Sequence, residues 1–393
     1  MSVADLLFYP LYLILSYCYI ELKVRKNQAF VSRSFLYSLF VYHLVFTVFY
    51  PLYYGNSIDS INYFNDAQDL QLEDLTFGSI GTSLINTLTF FVSRVIGLSY
   101  ISSFFFFSFF GFMAFARLYV FISREILMTR FTTSHWWLYV LFFFPSFHLW
   151  SVLLGKDPLV LYGIVLTLPF LYKPHNLTSL FTFASGSLIV FLIRPHIAFA
   201  LWLVTFLTIV LGSKRIKLFY RMGMILSSVF LGYLLIPFLL DYFGLSGNTL
   251  ERYRELVERY SNFYAESRAS VDMSHYSTGM KVFTFLFRPL FFDIPNPFAI
   301  ITSAENLFLL ILTLRMVFSK AAFYIIFRGN LIYRFAVMYT LVASLILINT
   351  GNNLGMFSRY RNVIIPFTIL FIAGYIKTIE EKKDVRALSP SVG

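Results

Sequence analysis

The feature that most constrains this chain is a repeated alternation of long apolar runs with short segments that carry most of the charge. A run of roughly 20 residues makes a helix of about 30 Å, the thickness of a bilayer's hydrocarbon core. Inside lipid each backbone N–H and C=O needs an internal partner, which a helix supplies. The runs fall at about 3–22, 34–54, 99–122, 135–154, 158–172, 178–193, 197–212, 221–240, 298–318, 330–348 and 363–377. The expected fold class is therefore all-α, a polytopic transmembrane helical bundle of about eleven spans. A charged fraction of 13% against 58% hydrophobic residues excludes a soluble globular domain, where charge usually reaches about a quarter. The expected organisation is one transmembrane domain over 1–379, followed by a charged, disordered cytoplasmic tail over 380–393.

The net charge of +11 is distributed as clusters between the runs rather than as one patch, so it reads as topology and not as nucleic-acid binding. One set of connections carries Lys23, Arg25, Lys26 and Arg33, then Arg124 and Arg130, Lys173, Lys214 to Arg221, Arg315 to Arg334, and the tail from Lys377. These are expected in the cytoplasm, where basic residues are retained and meet anionic lipid. Arg117, close to that end, is expected to extend its guanidinium to the headgroups. Most acids fall in the alternate connections, about 55–98 and 241–297, which are expected outside. Met1 to Asp5 lacks a basic leader, so the first span is expected to stay, with its N-terminus outside and the C-terminus cytoplasmic. Cys18 is the one cysteine, which leaves no intrachain disulfide.

Both outer segments are long enough for interfacial helices. In the first, Leu84, Leu88, Phe91 and Val95 recur at helical spacing. In the second, Asn248 and Glu251 suggest a capping box before the apolar stripe Leu256, Tyr260 and Phe263, and 282–289 is too short to span. A charge near the centre of a span costs roughly 2.5–3.5 kcal/mol, so polar groups at span ends carry information. The expected topology gathers Asp66, Asp69, Lys156, Asp157, Arg194, His196, Arg288, Glu305, Arg359 and Arg361 at the outer face.

Lys156-Asp157-Pro158 reads as helix initiation with Asp157 at the N-cap, or as an anion site in which Lys156 adds to the helix dipole. Arg194-Pro195-His196 occupies a tight turn, where Arg194 either reaches headgroups or binds phosphate beside a titratable imidazole. Arg359 and Arg361 flank Tyr360 and either anchor the last helix or clamp a diphosphate. Asp66 and Asp69, three residues apart, share a face if their segment is helical, and an ionised aspartate there suits activation of a sugar hydroxyl. Glu305, about two turns into its span, needs a partner such as an arginine. HExxH, CxxC, GxxxxGK[ST] and GxSxG motifs do not occur, so neither a metal nor any other cofactor is expected.

Phe144-Pro145-Ser146-Phe147-His148-Leu149-Trp150 leading to Gly155-Lys156-Asp157-Pro158, then Arg194-Pro195-His196, Phe287-Arg288-Pro289 and Arg359-Tyr360-Arg361-Asn362, resemble multispanning bacterial enzymes of surface-polysaccharide assembly. These are O-antigen polymerase (Wzy)-like proteins and glycosyltransferases of the GT-C superfamily. The resemblance implies a bacterial inner-membrane enzyme that uses polyprenyl phosphate or diphosphate sugars. Its partners would be that lipid-linked sugar, membrane lipid and other assembly proteins. The implied leaving-group ligands are Arg194, Arg288, Arg359 and Arg361, with Lys156 beside them. Asp66, Asp69 or Asp157 would serve the acceptor, His196 being the alternative base. In GT-C enzymes that acid lies in the first outer loop after the first span, whereas Asp66 and Asp69 follow the second run here. The expected activity is repeat-unit polymerisation. Its rivals are addition of a single sugar from a monophosphate carrier, and transport or flipping of a precursor, although no internal repeat of the transporter kind is visible.

Overall fold

The computed structural model describes residues 2–53, 58–74, 80–174, 176–212, 269–293, 297–349 and 351–388, with isolated positions between 219 and 255. Among them every regular element is helical, and the one β interaction is an isolated antiparallel bridge between Ser270 and Asn353. The chain divides into two compact units, Met1–Arg194 with Ile365–Gly393, and Pro195–Ile364.

The first unit contains α1 (Val3–Lys26), α2 (Arg33–Tyr53), α3 (Ile58–Asp69), α4 (Thr82–Phe90), α5 (Tyr100–Phe121), α6 (Trp136–Phe142), α7 (Pro145–Ser151), α8 (Lys156–Tyr172) and α9 (Leu177–Ile193). The second contains α10 (Pro195–Gly212), α11 (Thr278–Phe287), α12 (Pro297–Val317), α13 (Lys320–Arg328), α14 (Leu331–Leu347) and α15 (Leu354–Tyr360). The last helix, α16 (Ile365–Leu388), belongs to the first unit.

Among the described residues, four helices are long and apolar enough to cross a membrane: Val3–Lys26, Arg33–Tyr53, Tyr100–Leu127 and Pro297–Val317. The count rises to seven if each of three bent helix pairs is one span. Leu177–Ile193 and Pro195–Val210 are shorter apolar helices, and most of the run at 221–240 lies outside the described residues.

The expected single helix over 135–154 is instead two short ones, α6 and α7. Pro145 explains the break: it has no N–H to donate, and it forces Phe144 into extended backbone. A second break follows, since α7 and α8 meet at 107° across a connection that ends in Gly155 at φ +153°. A Cβ at Gly155 would lie 3.1 Å from the Tyr63 ring, so a side chain is disfavoured by the backbone conformation and would also require the ring to shift.

Local chemistry sets other boundaries. Ser2 and Asp5 form a reciprocal capping box on α1, and Asp5 also accepts the Ser99 N–H at 2.9 Å, which ties α1 to the N-cap of α5. The α8–α9 hairpin closes at Gly163, where a Cβ would meet the Gly186 carbonyl oxygen at 2.8 Å. Small residues of this kind let apolar helices approach without clashes.

The helical spacing near 84–97 corresponds to α4, continued by a π-helical turn over Phe91–Val95. The 248–263 segment lies, apart from isolated positions, outside the described residues. The tail differs from expectation, because 380–388 continue α16 and Ser134 Oγ donates to Glu380 at 2.8 Å. Residues 389–393 lie outside the described residues.

Candidate functional site

In the first unit four stretches meet around Lys156. Ser60 Oγ of α3 donates to the Leu154 carbonyl at 2.9 Å, and the Gly81 N–H donates to the Leu192 carbonyl at 2.7 Å. Lys156, half-buried, donates to Thr82 Oγ1 of α4 at 2.8 Å. Asn86 of the same helix donates to Asp66 Oδ2 at 3.1 Å. Asp66 and Asp69 do lie on a helix, α3, and both are exposed. Asp59 of the same helix and Glu73 just beyond it are exposed as well.

Asp157 and Arg194 are brought together instead of being presented separately. Arg194 donates to Asp157 Oδ1 at 2.7 Å, with side-chain exposures of 7% and 3%. The pair joins the first turn of α8 to the C-cap of α9. The N-cap of α8 is Gly155 rather than Asp157, which places the carboxylate inside the first turn, where the helix dipole also favours it. A buried ion pair of this kind satisfies both charges and resists separation.

The second unit assembles a different cluster. Arg288, at the C-cap of α11, holds Asp293 through both carboxylate oxygens, Nε to Oδ2 at 2.9 Å and Nη2 to Oδ1. Arg288 also donates to the Tyr276 hydroxyl at 3.2 Å, and its guanidinium lies over the Phe292 ring at 5.5 Å. Burial opposes ionisation of Asp293, but the bonds from Arg288 and from the Leu290 N–H outweigh it and hold the carboxyl below its usual range. The same bond to Asp293 holds the Arg288 guanidinium charged.

Arg361, buried in the turn that follows α15, donates to the Leu286 carbonyl at 2.9 Å and to Asn306 Oδ1. Asn306 passes the network on, donating to the Pro289 carbonyl at 2.7 Å. Glu305 is buried in α12, directly before Asn306. Arg288 and Arg361 are thus linked through the backbone on either side of Arg288. Arg359 is half-buried on α15, whose start is fixed by Asn353 capping Gly355 and Met356 at 2.8 and 3.1 Å. His196 is half-buried in the first turn of α10.

Several partners escaped the sequence reading. Asp293 stands five residues beyond Arg288, and Asn306 directly follows Glu305, so proximity in the chain was the available signal. Nothing local pointed to the buried His43 and His148, whose Nδ1 atoms are 3.0 Å apart. No protein-family model, no curated protein and no solved structure matches this chain.

Proposed function

We propose that this chain is an integral-membrane glycosyltransferase acting on polyprenyl-(di)phosphate-linked sugars in surface-polysaccharide assembly, with repeat-unit polymerisation as its reaction. The observation that supports this reading most is the joining of Arg288 and Arg361, some seventy residues apart in sequence, in one hydrogen-bonded network, with Arg359 two residues before Arg361. Arginine suits a diphosphate because its planar fork matches two oxygens at once; the Arg288 fork is held by Asp293, so the phosphate role falls to Arg359 and Arg361.

In the proposed reaction the acceptor hydroxyl oxygen bonds to the anomeric carbon, and its proton passes to a carboxylate or imidazole. The bond from that carbon to the lipid (di)phosphate breaks, and the electron pair leaves on the phosphate oxygen. Guanidinium groups stabilise the charge that develops there. Asp66, Asp69 and His196 are the candidates for the proton acceptor, while Asp157 and Arg194 are assigned to holding α8 against α9.

The test uses the full-length protein in liposomes with a polyprenyl-diphosphate oligosaccharide. Arg359→Ala and Arg361→Lys should each lower the product ladder by about 100-fold or more, and a normal ladder from both would exclude the phosphate role. A single added sugar in place of a ladder would indicate the monophosphate-donor reaction. A transport reading draws support from the broken helices, 107° between α7 and α8 and 106° between α13 and α14, since transporters commonly use discontinuous helices. Translocation of the lipid-linked sugar without extension would establish that reading.

A further inference from the structure

At the far end of the α8–α9 hairpin from Asp157 and Arg194, the first unit contains a cavity of about 290 Å³. Its wall includes Lys23 and Lys26 from the last turns of α1, Arg117 and Arg124 from α5 and its continuation, and Lys173 after α8. Glu125 is the one carboxylate lining it. The cavity is thus walled by five cations and a single anion.

Glu125 is already committed. It accepts from Arg124 at 2.7 Å and from Lys173 at 2.6 Å, while the Tyr172 hydroxyl holds its backbone carbonyl at 2.8 Å. Among the described residues Lys23, Lys26 and Arg117 have no carboxylate partner. Lys23 lies 4.9 Å over the Tyr19 ring, whose hydroxyl donates to the Met113 carbonyl at 3.4 Å. Like charges held around one small space repel, and the repulsion grows as water is replaced by protein. An anion in that space removes the penalty.

Two further features point the same way. Asn176 caps α9 at the cavity wall and accepts the Thr178 N–H at 2.9 Å, so the positive end of a 17-residue helix dipole is directed there. Glu125 sits on a π-helical extension of α5 over Ile122–Leu127, a deviation that re-aims side chains.

We infer that this cavity is a binding site for a phosphate group, and that the phosphate is the headgroup of an anionic membrane lipid. The volume lies at the low end of ligand pockets, about 300 Å³, enough for a headgroup and not for its chains. The chains have a place beside it: Leu177, Leu180 and Phe181, on the first turns of α9 next to the lining residues Asn176 and Ser179, are exposed at 83%, 46% and 73%. Arg117 distinguishes the site from ordinary headgroup attraction, since it stands nearly two turns before Arg124 along the same helix.

The test places the purified full-length chain in phosphatidylcholine nanodiscs and titrates phosphatidylglycerol, with inorganic phosphate as a separate arm. Retained lipid is read by native mass spectrometry, and ligand-dependent protection by thermal unfolding. Phosphatidylglycerol should be retained over phosphatidylcholine. Lys23→Gln and Arg117→Gln should each weaken retention about tenfold, the loss of one charge-assisted contact. Arg25→Gln, an exposed cation on α1 outside the cavity wall, should leave it unchanged. Lys26→Gln, also exposed, gives the same reading if Arg117→Gln fails to fold. Equal loss in Arg25→Gln, or no preference for phosphatidylglycerol in the unmodified protein, overturns the site. Protection by inorganic phosphate at matched concentration, with the same residue dependence, overturns the lipid assignment in favour of a soluble phosphate.

Discussion

The two ends of the α8–α9 hairpin handle charge in opposite ways. Beside Lys156, Arg194 and Asp157 are buried against each other, with side-chain exposures of 7% and 3%. Beside Tyr172, Glu125 serves two cations that stay largely in solvent, Arg124 at 53% and Lys173 at 63% exposed, and Lys23, Lys26 and Arg117 have no carboxylate partner among the described residues. The first end is neutralised internally and reads as a clasp. The second keeps excess positive charge and is open to an external anion. Burial, more than the number of charges, separates a structural pair from a receptive surface.

The largest effect expected from this contrast is at the clasp. Arg194→Ala or Asp157→Ala strands one buried charge and should cost about 3–5 kcal/mol, measured by thermal or denaturant unfolding in detergent. The double substitution Arg194→Met/Asp157→Leu should recover most of that loss. If Arg194→Ala leaves stability unchanged and removes activity, the clasp is instead a ligand site.

The hairpin between the two ends is the next target. Gly186→Ala places a methyl group on the Gly163 carbonyl oxygen and should destabilise by about 1–3 kcal/mol, the usual cost of overpacking. The same change should weaken phosphatidylglycerol retention, because α8 and α9 carry part of both ends.

The second unit offers its own buried pair as a check. Its bond to Arg288 holds Asp293 below the usual carboxyl range, so the folded form binds its proton less readily than the unfolded form does. The pair's contribution should be complete above about pH 4, the ordinary aspartate value, and lost as pH falls further. Asp293→Asn should flatten that part of the stability profile.

The smallest change is expected at the exposed end. Glu125→Gln should cost less than about 1 kcal/mol of stability, since its partners are mostly solvated. It should raise, not lower, affinity for phosphatidylglycerol, because two more cations are released toward the cavity. A loss of several kcal/mol would erase the distinction between the ends.

The helical character of the chain, and the apolar helices long enough to cross a membrane, were readable because apolar periodicity and helix capping are local. Pro145 shows where that reading stopped short: hydropathy continued through 135–154, and one ring divided it into two helices. The charged tail likewise looked disordered by composition, but Glu380 reaches Ser134 and the helix persists to Leu388. Among the candidate site residues, the sequence nominated the charged groups and missed their companions. Asp157 and Arg194, 37 residues apart, bind each other, and Arg117 lines a cavity with cations from other elements; neither grouping is visible in the local sequence.

The sequence alone determined that the chain is helical, that much of it suits a lipid solvent, and where cations interrupt that preference. These properties follow from residues within a few turns of one another. Tertiary structure decided which cations are neutralised and which are left to attract something else. That choice depends on which distant segments come within about 3 Å, as Leu286, Asn306 and Arg361 do, and such closeness is a property of packing that no short stretch of chain carries.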